Sequence, residues 1–204
     1  MHQTTPGAAG AVDVILSCVK LWDLGGSAEL MRPMTGQGTM VIPLQNGVDS
    51  SESLSPIVGA QHVVCGVAMV SGSIVRPGVI HQTGKHHSII FGELDGAVSA
   101  RVCAFRNAAK GAGIDAVVPD DIQVARWNKF IGLTAMAGIC SLMRQSLGPL
   151  RDDPEIVPLI QTSMQEIVDV GIACGVPLEP VMVDTGSTTS DHSPRKQLRP
   201  CWST

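Results

Sequence analysis

The sequence predicts an α/β unit built on a parallel sheet, followed from about residue 119 by an all-α unit. Two short apolar runs rich in β-branched residues, Val12–Val19 and Thr39–Leu44, flank a stretch with helical spacing, the pattern of a βαβ crossover. Beyond Pro119 the apolar residues recur only at helical intervals. The 204 residues are 44% hydrophobic and 16% charged, which is enough apolar material for packed interiors and too little charge for a disordered chain.

Taken in order, VDVILSCV and TMVIPL read as buried strands. Between them, Asp23 to Met34 places Leu24, Ala28 and Met31 at helical spacing, although Gly25 and Gly26 each cost roughly 1 kcal/mol relative to alanine. Ligands bind α/β sheets at the carboxyl ends of parallel strands, which here are Lys20-Leu21-Trp22 and Gln45-Asn46-Gly47. A third apolar segment, His62 to Val70, leads into Ser71-Gly72-Ser73, read as a loop. Val79–Thr83 and Ser88–Phe91 flank Gly84-Lys85 and read as a hairpin. Ala97 to Ala112 is an amphipathic helix that stops at Gly111-Ala112-Gly113, before a strand-like Ile114–Val118.

The helical part opens at Asp120-Asp121, where an aspartate can accept from the free amides of a first turn, and its first helix is expected to reach about Arg144. A second begins at Asp152-Asp153, with Pro154 in the first turn and Gly175 as the stop. Its stripe of Ile156, Ile160, Met164, Ile167 and Gly171 reads as core. The expected organisation is therefore residues 1–118 as an α/β domain, 119–184 as a helical domain, and 185–204 as a disordered tail.

Composition removes several function classes. A net charge of −4, an aromatic content of 3% and the absence of tyrosine leave neither a basic footprint nor stacking platforms for nucleic acid. The longest apolar stretch, Phe130 to Met143, is broken by Gly132, Thr134, Gly138 and Ser141 and falls short of the ~20 residues that span a bilayer, so no membrane partner is expected. The six cysteines are widely spaced with no CxxC pair, which fits a reduced cytoplasmic setting. His81, His86 and His87 lack a nearby cysteine or carboxylate cluster, so no metal is expected. Serine-hydrolase, zinc-protease and P-loop signatures are missing.

Three candidates for chemistry remain, each with an ordinary reading beside it. Lys20 stands at a buried strand's carboxyl end, where lysine is more often a solvated terminus. Asn46 precedes Gly47 in a turn that can expose its amide, yet Asn-Gly is also a common turn. Lys129, in Trp127-Asn128-Lys129-Phe130, has helical neighbours Gly132, Leu133 and Met136; desolvation there favours the neutral amine and eases proton transfer, whereas most lysines extend to water.

Taken in order, VDVILSCVK, VIPLQNGV, the ARWNKF helix and the RDDPE helix start resemble the ketopantoate reductase (2-dehydropantoate 2-reductase) family over roughly residues 11 to 180. The resemblance implies a Rossmann domain that binds NADPH and a helical domain that closes over a 2-keto acid, so that residues 1–118 would be a partial dinucleotide-binding domain and residues 119–184 a truncated helical substrate and catalytic domain. By position, Lys20 would contact the cofactor, Asn46 cofactor and substrate, and Lys129 would be the catalytic lysine that also meets the substrate. Gly72, or Ser71 beside it, falls near a further cofactor contact of the family. The implied ligands are NADP and a small 2-keto acid, with homo-oligomerisation left open.

The chain departs from the family in three respects. The family's opening strand, glycine-rich turn and helix, whose amides hold the cofactor pyrophosphate, have no counterpart, since Pro6-Gly7-Ala8-Ala9-Gly10 follows no strand. Leu133, Ala137 and Leu147 stand where the family has substrate-holding asparagines, so the chain looks like a paralogue. The family's later helices are not matched, and Thr185 to Thr204 looks unlike them, as a shifted reading frame or a truncated gene would produce. The alternative expectation is an inactive fragment of such a reductase with at most an interaction role.

Overall fold

The run TMVIPL carries no polar alternation because both faces of the strand it forms are covered. The computed structural model describes residues 6–179, so the expectation for residues 185–204 lies outside it. Strand β1 (Val14–Ser17) pairs in parallel with β2 (Met40–Pro43), Val14 opposite Met40 and Ser17 opposite Pro43. Val41 packs toward α1 (Leu24–Met31) and α2 (Ser50–Val58), joining Leu24, Ala28, Met31, Leu54 and Val58. Met40 and Ile42 face the other way, onto Phe91, Val102, Ala116 and Val118. The residues expected to bury in α1, Leu24, Ala28 and Met31, are the ones that do.

Strand β3 (Cys65–Arg76) and β4 (Val79–Gly92) form a long antiparallel ribbon, and β4 pairs in parallel with β5 (Asp115–Val117). A parallel bridge between Val41 and Val63, with the Val64 amide donating to the Val41 carbonyl at 3.1 Å, ties this sheet to β1 and β2. The hairpin sits elsewhere than the sequence suggested. Its turn is Pro77-Gly78, with Gly78 at φ 76°, and Gly84-Lys85 lies inside β4. There the register slips, Val70 opposing His87 but Ser71 opposing Thr83, so residues 84–86 form a bulge. Ser71-Gly72-Ser73 is accordingly strand, not loop. From residue 71 to residue 84 the ribbon is exposed on both faces, with Ile74 at 77% and Ile80 at 75% lying opposite each other on one of them.

Helix α3 (Ala100–Gly111) starts on Ser99, whose hydroxyl accepts from the Val102 amide. Arg101 in its first turn fastens four segments. Its Nε and Nη2 donate to the two carboxylate oxygens of Glu93 at 2.7 and 2.6 Å, and its Nη1 donates to the Gln61 and Thr39 carbonyls at 2.7 and 3.4 Å. The bonds to Glu93 raise the guanidinium pKa above its ordinary value. The pair is mostly buried, with side-chain exposures of 26% and 13%. Arg101→Ala leaves Glu93 without its bidentate partner and is expected to cost about 2–3 kcal/mol in urea unfolding; Arg101→Lys, lacking the fork, recovers less than half.

The described chain divides into two compact units between Ile122 and Gln123. The second is helical, made of α4 (Ile122–Met143), the short α5 (Leu147–Arg151) and α6 (Ile156–Ala173). Helix α4 stops at Met143, just before Arg144 at φ 52°, and α6 is followed by Gly175 at φ 85°. Ile139, Leu150 and Ile160 form a small core. Gly171, read from sequence as part of an apolar stripe, makes room for an indole: a Cβ there would lie 2.9 Å from Trp127 Cε3 and collide with Leu178.

Candidate functional site at the strand ends

Parallel pairing in register brings the ends of β1 and β2 out at one edge of the sheet, and the Leu44 amide donates to the Ser17 carbonyl at 2.9 Å just beyond the pair. The residues that follow, Cys18 to Lys20 and Gln45 to Gly47, therefore leave side by side. Lys20 is extended, φ −68° and ψ 152°, and its carbonyl accepts from the Asp23 amide at 2.9 Å to start the turn that leads into α1. Its side chain is exposed, with Nζ 5.9 Å from the centroid of the Trp22 ring. Burial pushes the Cys18 thiol pKa up, which argues against an activated nucleophile.

Asn46 is exposed at the tip of the loop after β2, and Gly47 takes φ 116°. A Cβ on Gly47 would meet Asp49 Oδ1 at 3.3 Å and Leu21 Cδ2 at 4.0 Å, so the loop after β2 lies against the loop after β1. Gln45 is buried between them. Its Nε2 donates to the Ser17 carbonyl at 3.1 Å, the Ser17 hydroxyl at 3.0 Å and the Val19 carbonyl at 3.1 Å. Its Oε1 is buried with no hydrogen-bond partner among the described residues. Sequence reasoning missed Gln45, because its partners lie 26 to 28 residues away in the chain.

Lys20 and Asn46 thus share one edge. Gly72 does not join them: it sits within β3 opposite Gln82, six residues beyond Gly66, and at about 3.3 Å per residue that is about 20 Å along the ribbon. Gly66, by contrast, abuts Pro43 and Ile42 at the end of β2.

Lys129 belongs to the helical unit, on the second turn of α4, where it is half-buried. Desolvation by that burial lowers its ammonium pKa. Trp127 and Phe130 flank it, their rings edge to face at 5.7 Å, with Trp127 buried. Arg126, which sequence reasoning passed over, is also buried and donates from Nη2 to the Gln123 side-chain oxygen at 2.6 Å. It precedes Lys129 by three residues, on the same side of the helix. Leu133 and Ala137 follow Lys129 by one and two turns, and Leu147 opens α5. Among the described residues no group of three or more His, Cys, Asp or Glu could hold a metal, and no helix is long and apolar enough to cross a membrane.

Residues 2–96 match the family model described as ketopantoate reductase PanE/ApbA, and residues 121–198 match that of its C-terminal part. The second match runs to residue 198 and so includes much of the stretch after Thr185 that had looked unlike the family. The chain is 28% identical over 197 residues to the uncharacterized oxidoreductase YkpB of Bacillus subtilis, covering 95% of this chain and 65% of that protein. It is 27% identical over 199 residues to the 2-dehydropantoate 2-reductase of Halobacterium salinarum, again covering 95% and 65%. The solved 2-dehydropantoate 2-reductase of Geobacter metallireducens superposes with a TM-score of 0.78 at 26% identity, over 94% of this chain and 60% of that one. The chain therefore spans about 65% of the length of these curated relatives.

Proposed function

The chain belongs to the ketopantoate reductase family, and from that premise we propose that it serves the NADPH-dependent reduction of a 2-keto acid, 2-dehydropantoate to pantoate or a related ketone. The observation that carries this reading is the shared edge of β1 and β2, which presents Lys20 and Asn46 from adjacent loops at the carboxyl ends of parallel strands. A cation, an amide that can both donate and accept, and a glycine at φ 116° fit the nicotinamide side of a dinucleotide. The cofactor, when bound, supplies a hydride to the ketone carbon. Lys20 would contact the cofactor through its ammonium group, and Asn46 would hold cofactor and substrate in line. Lys129 Nζ would release a proton to the ketone oxygen as negative charge gathers there, helped by the burial that lowers its pKa.

The choice of NADP over NAD follows the family resemblance. Leu133, Ala137 and Leu147 offer no polar group where family members hold substrate, which favours a ketone with a less polar tail than 2-dehydropantoate. Fluorescence titration with NADPH tests the reading: saturable binding with a Kd in roughly the micromolar range is expected. Absence of binding up to millimolar concentration would overturn it in favour of an inactive fragment with at most an interaction role, to which the exposed apolar ribbon would be suited.

A further inference from the structure

We infer that Gln45 is a positioning residue, whose side-chain amide fixes the spacing between the loops carrying Lys20 and Asn46. The inference rests on the functional reading above for what those loops contact, and on the hydrogen bonds of Gln45 for how they are held. Three oxygens, the Ser17 carbonyl, the Ser17 hydroxyl and the Val19 carbonyl, converge on Nε2 within 3.1 Å. Two of them are carbonyls that can only accept, so the NH2 end of the amide must face them. β1 ends at Ser17 and its last ladder bond is the one from Leu44, so nothing in the ladder holds Val19. The Gln45 side chain extends the link two residues past the strand, to the residue next to Lys20. Because Gln45 is itself the neighbour of Asn46, one buried side chain sets both loop bases at once.

The Oε1 end of the amide makes no hydrogen bond among the described residues, so the polar contacts of the Gln45 side chain all run through Nε2 to the base of the loop after β1.

The experiment compares the full chain with Gln45→Met, which keeps the volume and removes the amide, and with Gln45→Asn, which keeps an amide one methylene short and serves if the first variant fails to fold. NADPH affinity and site-resolved amide hydrogen exchange are measured on each. The expected result is a Kd raised about tenfold, the equivalent of one to two lost hydrogen bonds. Exchange should quicken across residues 18–22 and 46–49 while α3 stays unchanged. The loss should also be less than additive with Lys20→Met, because Gln45 acts through Lys20. An unchanged Kd, unchanged exchange in both loops, or quickening throughout the unit would each overturn the positioning role. If the unsubstituted chain binds no NADPH, the functional reading falls on its own, and exchange alone decides the clamp: faster exchange confined to the two loops sustains it, and unchanged exchange overturns it.

Discussion

Lys129→Ala is expected to lower turnover of a 2-keto acid by about 10²–10⁴-fold while leaving the Kd for NADPH within about twofold, because the lost group is a proton donor and not a cofactor anchor. The same burial that suits Lys129 to this role gives the prediction a second readout. Reduction needs the ammonium form, so turnover should fall as pH rises through the lowered pKa, with the descending limb beginning below the usual lysine value of about 10.4. The stability linkage has the opposite direction. Burial disfavours the charged form in the folded state, so the penalty is fully present below the folded pKa and is relieved as pH climbs from there to the unfolded value. Turnover should therefore disappear at neutral pH while the variant is still folded at the assay temperature, which its Tm checks. A variant that lost turnover and Tm together would point to a structural lysine, and unchanged turnover would remove Lys129 from the chemistry.

The largest loss of stability is expected at Gly66. It stands at the start of β3 opposite Phe91, where a Cβ would collide with the Pro43 carbonyl oxygen and lie 2.6 Å from Ile42 Cγ2. Neither neighbour can give way cheaply: Pro43 and Ile42 belong to a strand buried along its length, with Ile42 packed among Val64, Phe91 and Val102. Gly66→Ala should cost about 3 kcal/mol, the upper end for overpacking, read as a lowered urea midpoint with an unchanged slope. Because the strain falls on Pro43, two residues before Gln45, the variant should also weaken NADPH at temperatures where it is still folded. An unfolding free energy within about 0.5 kcal/mol of that of the unsubstituted protein would contradict the close approach.

The parts of the fold legible in the sequence are those in which one face or both faces of an element are buried along its length. β1, β2 and α1 announce themselves because Ile15, Val41, Leu24, Ala28 and Met31 all converge on one core. α2 was not visible, since its first buried residues, Ser50 and Ser51, are polar, and Ser51 is accommodated by a hydrogen bond to the Val64 carbonyl. The hairpin was misplaced because a bulge and a turn use glycine alike: Gly84 and Gly78 both have positive φ, at 77° and 76°. In the candidate site, Lys20 and Asn46 follow from the logic of strand ends. Gln45 and Gly66 do not, because what distinguishes them is contact across the sheet, with Ser17 and Val19 in one case and Pro43 in the other. Arg126 reads as an ordinary surface arginine until packing buries it.

Trp22, 80% exposed beside Lys20, and Trp127, 5% exposed in the helical unit, place two indoles in contrasting solvents. Water relaxes around an excited indole and shifts its emission to the red, whereas a shielded indole emits to the blue. In a Trp202→Phe background, the two edges of one emission spectrum therefore follow two parts of the molecule without any attached dye. A small molecule arriving at Lys20 quenches the red edge, and one that settles only against the helices disturbs the blue.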